Sequence, residues 1–166
     1  MGGREEGGPG DRGGHPAVCD ASPLIALDQI GRLDLLPGLF GTVVVPPAVS
    51  AETPRIAKPD WLVERRLREP IPDWLVAARL GPGETEAIAL ALQLRAEQVV
   101  LDERRATRIA RGEGLRVVGT LGVLLLAKSA GLVPAIRPDV AGLRATGFHL
   151  APWLVADVLA TAGEDA

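Results

Sequence analysis

Pro16-Ala17-Val18-Cys19-Asp20-Ala21-Ser22-Pro23 decides the fold. A short apolar run stops at an acid, and a helix start follows at once. A brief apolar run bounded in this way reads as a fully buried strand. The arrangement recurs at Val99-Val100-Leu101-Asp102, again with a charged helix behind it. Between and beyond these two points, Thr42 to Val45 and Leu115 to Val118 are further strand candidates. The first helix should open on Ser22 as N-cap with Pro23 behind it, and bury Leu24, Ile25, Leu27 and Ile30. Further helices are predicted over 33–39, 48–52, 84–94, 103–113, 120–131, 139–145 and 152–162. Strands alternating with helices mean an α/β fold around a mostly parallel sheet. The proline-interrupted stretch 53–82 reads only as an edge strand and an exposed helix.

The bulk numbers set bounds. A chain of 166 residues, 47% hydrophobic, makes one domain with a real core. Aromatics are only 3% and Tyr is absent, which favours close helix–sheet packing through small residues over an aromatic-filled β-sandwich. The net charge of −3 offers nucleic acid no broad attraction, so any such contact needs a local basic patch or a bound cation. Cys19 is the single cysteine, which excludes an internal disulfide and a cysteine zinc site. The chain shows no apolar leader, and its longest apolar stretch, Leu121 to Ala127, is too short to span a bilayer. These features fit a soluble, cytoplasmic protein with no membrane partner. Residues 1–15 are Gly-rich and charged and read as a disordered tail, 16–150 as the folded domain, and 151–166 as a C-terminal helical extension.

Four acids, Asp20, Glu52, Glu86 and Asp102, each stand where a strand or short helix meets the crevice. In open parallel sheets ligands bind at the carboxyl ends of the strands, so acids placed there converge. Gathered carboxylates repel, and a divalent cation removes that repulsion. Each acid alone has a plainer explanation. Asp102 would cap the helix after it, Glu84 and Glu86 would complement a helix N-terminus, and Glu52 would be solvated surface. Asp20 resists such a reading because Ser22 already fills the capping role. Glu84 and Glu86 lie on roughly opposite helix faces, about 100° per residue apart. The small residues after Glu86 assign it to the site and leave Glu84 a supporting role. Arg104, Arg108 and Arg111 form a helical stripe opposite Ala106, Ile109 and Ala110, with Arg105 beside it. That stripe is either an ordinary solvated face or a phosphate-contacting edge.

Val18-Cys19-Asp20-Ala21-Ser22-Pro23-Leu24-Ile25 resembles the opening of PIN domains. So does Gly83-Glu84-Thr85-Glu86-Ala87-Ile88-Ala89-Leu90-Ala91, followed by Val100-Leu101-Asp102-Glu103. Arg108-Ile109-Ala110 and the run from Gly114 to Gly122 are similar to a little-characterised prokaryotic PIN-like branch. The resemblance implies a three-layer α/β/α fold and a metal-dependent ribonuclease, often the toxin half of a VapBC-type toxin–antitoxin pair. It implies Asp20, Glu52, Glu86 and Asp102 as the acidic quartet. Asp20, Glu86 and Asp102 would hold Mg²⁺ or Mn²⁺, with Ser22, Glu84 and Thr120 in support. Arg104, Arg105, Arg108 and Arg111 would meet RNA, and a small antitoxin protein and a second copy of the chain would be partners.

Two departures stand out. Many PIN domains carry Asp at the Glu86 position, and another Asp where this chain has Arg104. The rival reading is therefore a PIN-like module that binds RNA or a protein without cleaving. A phosphotransferase with Asp20 as nucleophile wants a second Asp where Ser22 stands. Dinucleotide and P-loop signatures are not in place either.

Overall fold

The computed structural model describes residues 16–164. The segment 1–15, expected to be a disordered tail, and residues 165–166 lie outside the described residues.

Five short strands form one all-parallel sheet, β1 (Ala17–Cys19), β2 (Val43–Val45), β3 (Leu62–Glu64), β4 (Val99–Val100) and β5 (Val117–Val118). Their order across the sheet is β3-β2-β1-β4-β5. The chain steps outward from β1 to one edge, then returns past it to build the other. β1 therefore sits in the middle, where Val18 pairs with Val44 on one side and Val99 on the other.

Strand side chains alternate between faces, and both faces are covered. Cys19, Val43, Val45 and Val100 face a core shared with α1 (Ala21–Gln29), α2 (Leu35–Phe40), α7 (Thr120–Ser129), α8 (Arg137–Ala145) and α9 (Pro152–Thr161). Val18, Val44, Val99 and Leu101 face the second core, with α4 (Asp73–Ala77), α5 (Pro82–Leu94) and α6 (Arg104–Gly112). This is a three-layer α/β/α sandwich. α3 (Pro47–Glu52) follows β2 and buries Val49 in the first core. The last helix adds Val155, Val158 and Leu159 to that same core.

The first helix begins earlier than its sequence signals indicate. Asp20, extended at φ −82° and ψ 168°, occupies the N-cap position, and Ser22 lies exposed in the first turn. Pro23 fits there because the first-turn amides of a helix have no intrahelical partner to lose. The cap expected of Ser22 is thus not made, and the Asp20 side chain makes none either. Within Leu121 to Ala127, Leu121, Val123, Leu124 and Ala127 are buried in the first core. Leu126 is 37% exposed and, with Val117, Val118 and Leu125, lines an open cleft of about 740 Å³ along the β5 edge.

Candidate active site

Parallel strands put all their carboxyl ends on one edge, and the acids gather there. Asp20 follows β1, Asp102 follows β4, and the N-terminus of α5 lies across them. Asp20 is 2% exposed, and its Oδ1 is buried with no hydrogen-bond partner. Its pKa is pushed up to about 7. Burial is the main cause, the Ala21 amide pulls the other way, and the charges of Glu84, Glu52 and Asp102 push further up.

Gly83 shows how tightly the acids meet. A Cβ placed on it would stand 2.9 Å from Glu52 Oε2 and 3.0 Å from Asp20 Oδ1. The two carboxylates thus crowd one point, and only glycine leaves room for them. Glu52 is an exposed residue whose carboxylate nonetheless turns inward and accepts a hydrogen bond from the Gly83 amide at 3.2 Å.

Asp102 does not cap the helix that follows it. Glu103 does, accepting from the Arg105 and Ala106 amides at 2.9 and 2.7 Å. Asp102 is instead held by Thr120, whose amide donates at 2.7 Å and whose hydroxyl donates at 2.5 Å. Burial raises the Asp102 pKa, and these two bonds oppose the rise. Thr120 is fully buried, so Asp102 has one orientation. Gly119 lies against it, since a Cβ there would stand 2.9 Å from Asp102 Oδ1.

Glu84 and Glu86 meet different neighbours. Glu84, in the first turn of α5, is the carboxylate whose charge weighs most on Asp20. Glu86 turns to the neighbouring helix and accepts from the Ala48 amide at 2.8 Å. The first turn lies nearest the strand ends, and two residues further on the helix faces α3 instead. Gly83 and Gly119 were not legible as site positions, although each directly precedes a site residue at the start of a helix.

Arg104, Arg105, Arg108 and Arg111 are all exposed along α6, opposite buried Ala106 and Ala110. Among the described residues none of the four is in a salt bridge. Cys19 is buried behind Asp20, and burial raises its thiol pKa well above the ordinary value, so it is inert filler.

The donors are all oxygens, the set that suits Mg²⁺ or Mn²⁺. Among the described residues no three such side chains are gathered closely enough to chelate one ion between them. Mg²⁺ keeps several waters and takes only one or two carboxylates from a protein, so loose convergence fits it. The unpartnered Asp20 Oδ1 and the cleared space at Gly83 fit it further.

These observations define a class: an α/β/α domain with acidic side chains converging at the carboxyl edge of a five-stranded parallel sheet. The PIN-domain family profile matches residues 16–164, and the chain belongs to that family. PIN domains are typically nucleases and generally use divalent metal ions. A solved PilT N-terminus domain protein from the hyperthermophilic archaeon Sulfolobus solfataricus P2 is similar in fold, with a TM-score of 0.50. It shares 18% identity with this chain, over 64% of this chain and 88% of its own. No curated protein matches the sequence significantly.

Proposed function

We propose that this protein is a metal-dependent endoribonuclease, the toxin half of a toxin–antitoxin pair. The observation that carries the nuclease reading is Asp20. It is a buried carboxylate with an unpartnered oxygen, pressed by three other acids, at the edge where parallel sheets bind ligands. Most buried carboxylate oxygens have a donor, and this one has none while facing other acids.

Asp20 and Asp102 would hold Mg²⁺ or Mn²⁺, with Glu84 beside them and Glu52 completing the acidic wall. Bound there, the ion would polarise a phosphodiester, activate water and offset charge on the leaving oxygen. Thr120 fixes Asp102 through two hydrogen bonds, so this ligand needs no reordering. Burial keeps bulk water from Asp20, which strengthens its hold on any cation. The exposed arginines of α6 begin two residues past Asp102 and suit the phosphates of an RNA strand. A small antitoxin, a homodimer and a cytoplasmic setting belong to the toxin reading and rest on the family resemblance alone.

The test is cleavage of a mixed structured RNA pool with Mn²⁺ or Mg²⁺, comparing wild type with Asp20→Asn. Cuts that need metal and vanish in the variant are the expected result. Equal background in both folded proteins would sink the enzyme and favour the non-cleaving module. Arg104, where many PIN domains carry an acid, is the feature that supports that second reading.

A further inference from the structure

Glu86 bonds away from the crevice, and its partner explains why. Helices α3 and α5 open in the same way, with proline in the first position behind a residue whose side chain cannot cap. α3 begins Pro46-Pro47-Ala48 and α5 begins Gly81-Pro82-Gly83. Neither N-cap residue has a side chain able to cap, and neither makes a side-chain cap bond. Proline in the first helical position has no N–H, so the next amide is the first donor needing an acceptor. In α3 that amide is Ala48, and in α5 it is Gly83.

Each helix supplies the other's missing acceptor. Glu86 of α5 accepts from the Ala48 amide at 2.8 Å, and Glu52 at the end of α3 accepts from the Gly83 amide at 3.2 Å. Two carboxylates thus clamp two helix starts crosswise. Only one of them, Glu52, also reaches Asp20 across Gly83.

We infer that Glu86 is a positioning residue and not a ligand: it seats α3 on α5 and so sets Glu52 against Asp20. Any acceptor of similar length can do this work, because a neutral amide oxygen also accepts from a backbone N–H. A metal ligand so changed would lose the charge that draws a cation, since a neutral amide oxygen holds a divalent ion more weakly than a carboxylate. The inference rests on the proposed metal site only where Mn²⁺ is used as a probe.

The test uses the full chain, labelled for amide exchange without metal, as wild type, Glu86→Ala and Glu86→Gln. Glu86→Ala should speed exchange about tenfold at Ala48 and also at Gly83, whose amide bonds Glu52 and not Glu86. Glu86→Gln should restore slow exchange at both. By calorimetry, Glu86→Gln should bind Mn²⁺ within about twofold of wild type, and Glu84→Gln much more weakly.

Unchanged Gly83 exchange in Glu86→Ala overturns the clamp. Equal loss of Mn²⁺ affinity in Glu86→Gln and Glu84→Gln overturns the assignment of Glu86 as a non-ligand. If Glu86→Ala does not fold, Glu52→Ala carries the amide test, with faster exchange at Ala48 expected and unchanged exchange fatal. If the wild type binds no Mn²⁺, the proposed metal site fails, and the amide data alone decide the clamp.

Discussion

At the carboxyl edge of the sheet, Asp20 is buried with a bare oxygen and three acids around it, and its pKa rises to about 7. At the C-terminal end, Glu164 accepts from the Lys128 ammonium at 2.7 Å, the Ile136 amide at 2.8 Å and the Arg137 amide at 2.9 Å. Its pKa falls to about 2, chiefly through Lys128 and then through Ile136. One carboxylate lacks the partners its burial demands, and the other ties α7, α8 and α9 together with every partner supplied. The contrast separates a carboxylate kept for something outside the chain from one used up in holding the fold.

The strongest way to break that contrast is to neutralise each member. Asp20→Asn should lower metal-dependent RNA cleavage by about two orders of magnitude or more, the scale of losing a principal electrostatic stabiliser. The same variant should be more stable than wild type when metal is absent, because it removes a buried charge. Loss of both activity and metal-free stability would mean that Asp20 is structural.

The pH dependence sharpens the contrast, and the signs are opposite. A folded pKa raised above the ordinary carboxylate value means that folding favours the protonated form. Asp20 therefore weakens the metal-free fold as pH rises from about 4 to about 7, by on the order of 3 kcal/mol. That corresponds to about 6–12 °C in Tm for a chain of this size. Asp102, also raised, adds in the same direction. Glu164 is lowered, so its contribution is present above its ordinary range and is lost as pH falls toward about 2. Melting curves of wild type, Asp20→Asn and Glu164→Gln between pH 3 and 8 would separate the two. A wild-type Tm that does not fall between pH 4 and 7 would contradict the raised Asp20 pKa.

Divalent cations should act on one region only. At pH 8, Mn²⁺ at 100 times its dissociation constant should stabilise the wild type by about 2.7 kcal/mol and leave Asp20→Asn unmoved. Lys128→Ala should lower the Tm by a few degrees while leaving the Mn²⁺ shift intact, since among the described residues the Lys128 ammonium bonds Ala162 and Glu164 and none of the site acids. A Mn²⁺ shift lost in Lys128→Ala would show that the two regions are coupled.

The smallest effect belongs to the arginines. Arg108→Ala should weaken RNA binding modestly and reduce the salt dependence by about 0.7 in log–log slope, as one lost phosphate contact on a single strand does. An unchanged slope would make the α6 stripe an ordinary solvated face.

How much was legible differs between backbone and site. Apolar runs ended by acids, alternating with amphipathic stretches, were enough for the parallel sheet, because burial on both faces demands uninterrupted Val, Ile and Leu. The proline-rich stretch 53–82 stayed vague because propensity signals cancel there, yet the structure places β3 at the sheet edge and α4 after it. The position of each acid at a strand or helix end could be read directly. Its hydrogen-bond partner could not.

The sequence by itself determined the element order, the layered α/β architecture and the edge of the sheet on which the carboxylates stand. Local periodicity and helix or turn signals are encoded within a few residues, so a reader needs no contacts to find them. Only the tertiary structure decided that Glu84 presses on Asp20 while Glu86 serves Ala48, and that Thr120 holds Asp102. Those outcomes depend on which groups come within reach of each other across 18 to 64 positions of chain, as with the Thr120–Asp102 hydrogen bond or the charges of Glu84 and Asp20. Packing of whole helices sets that reach, and no window of sequence contains it.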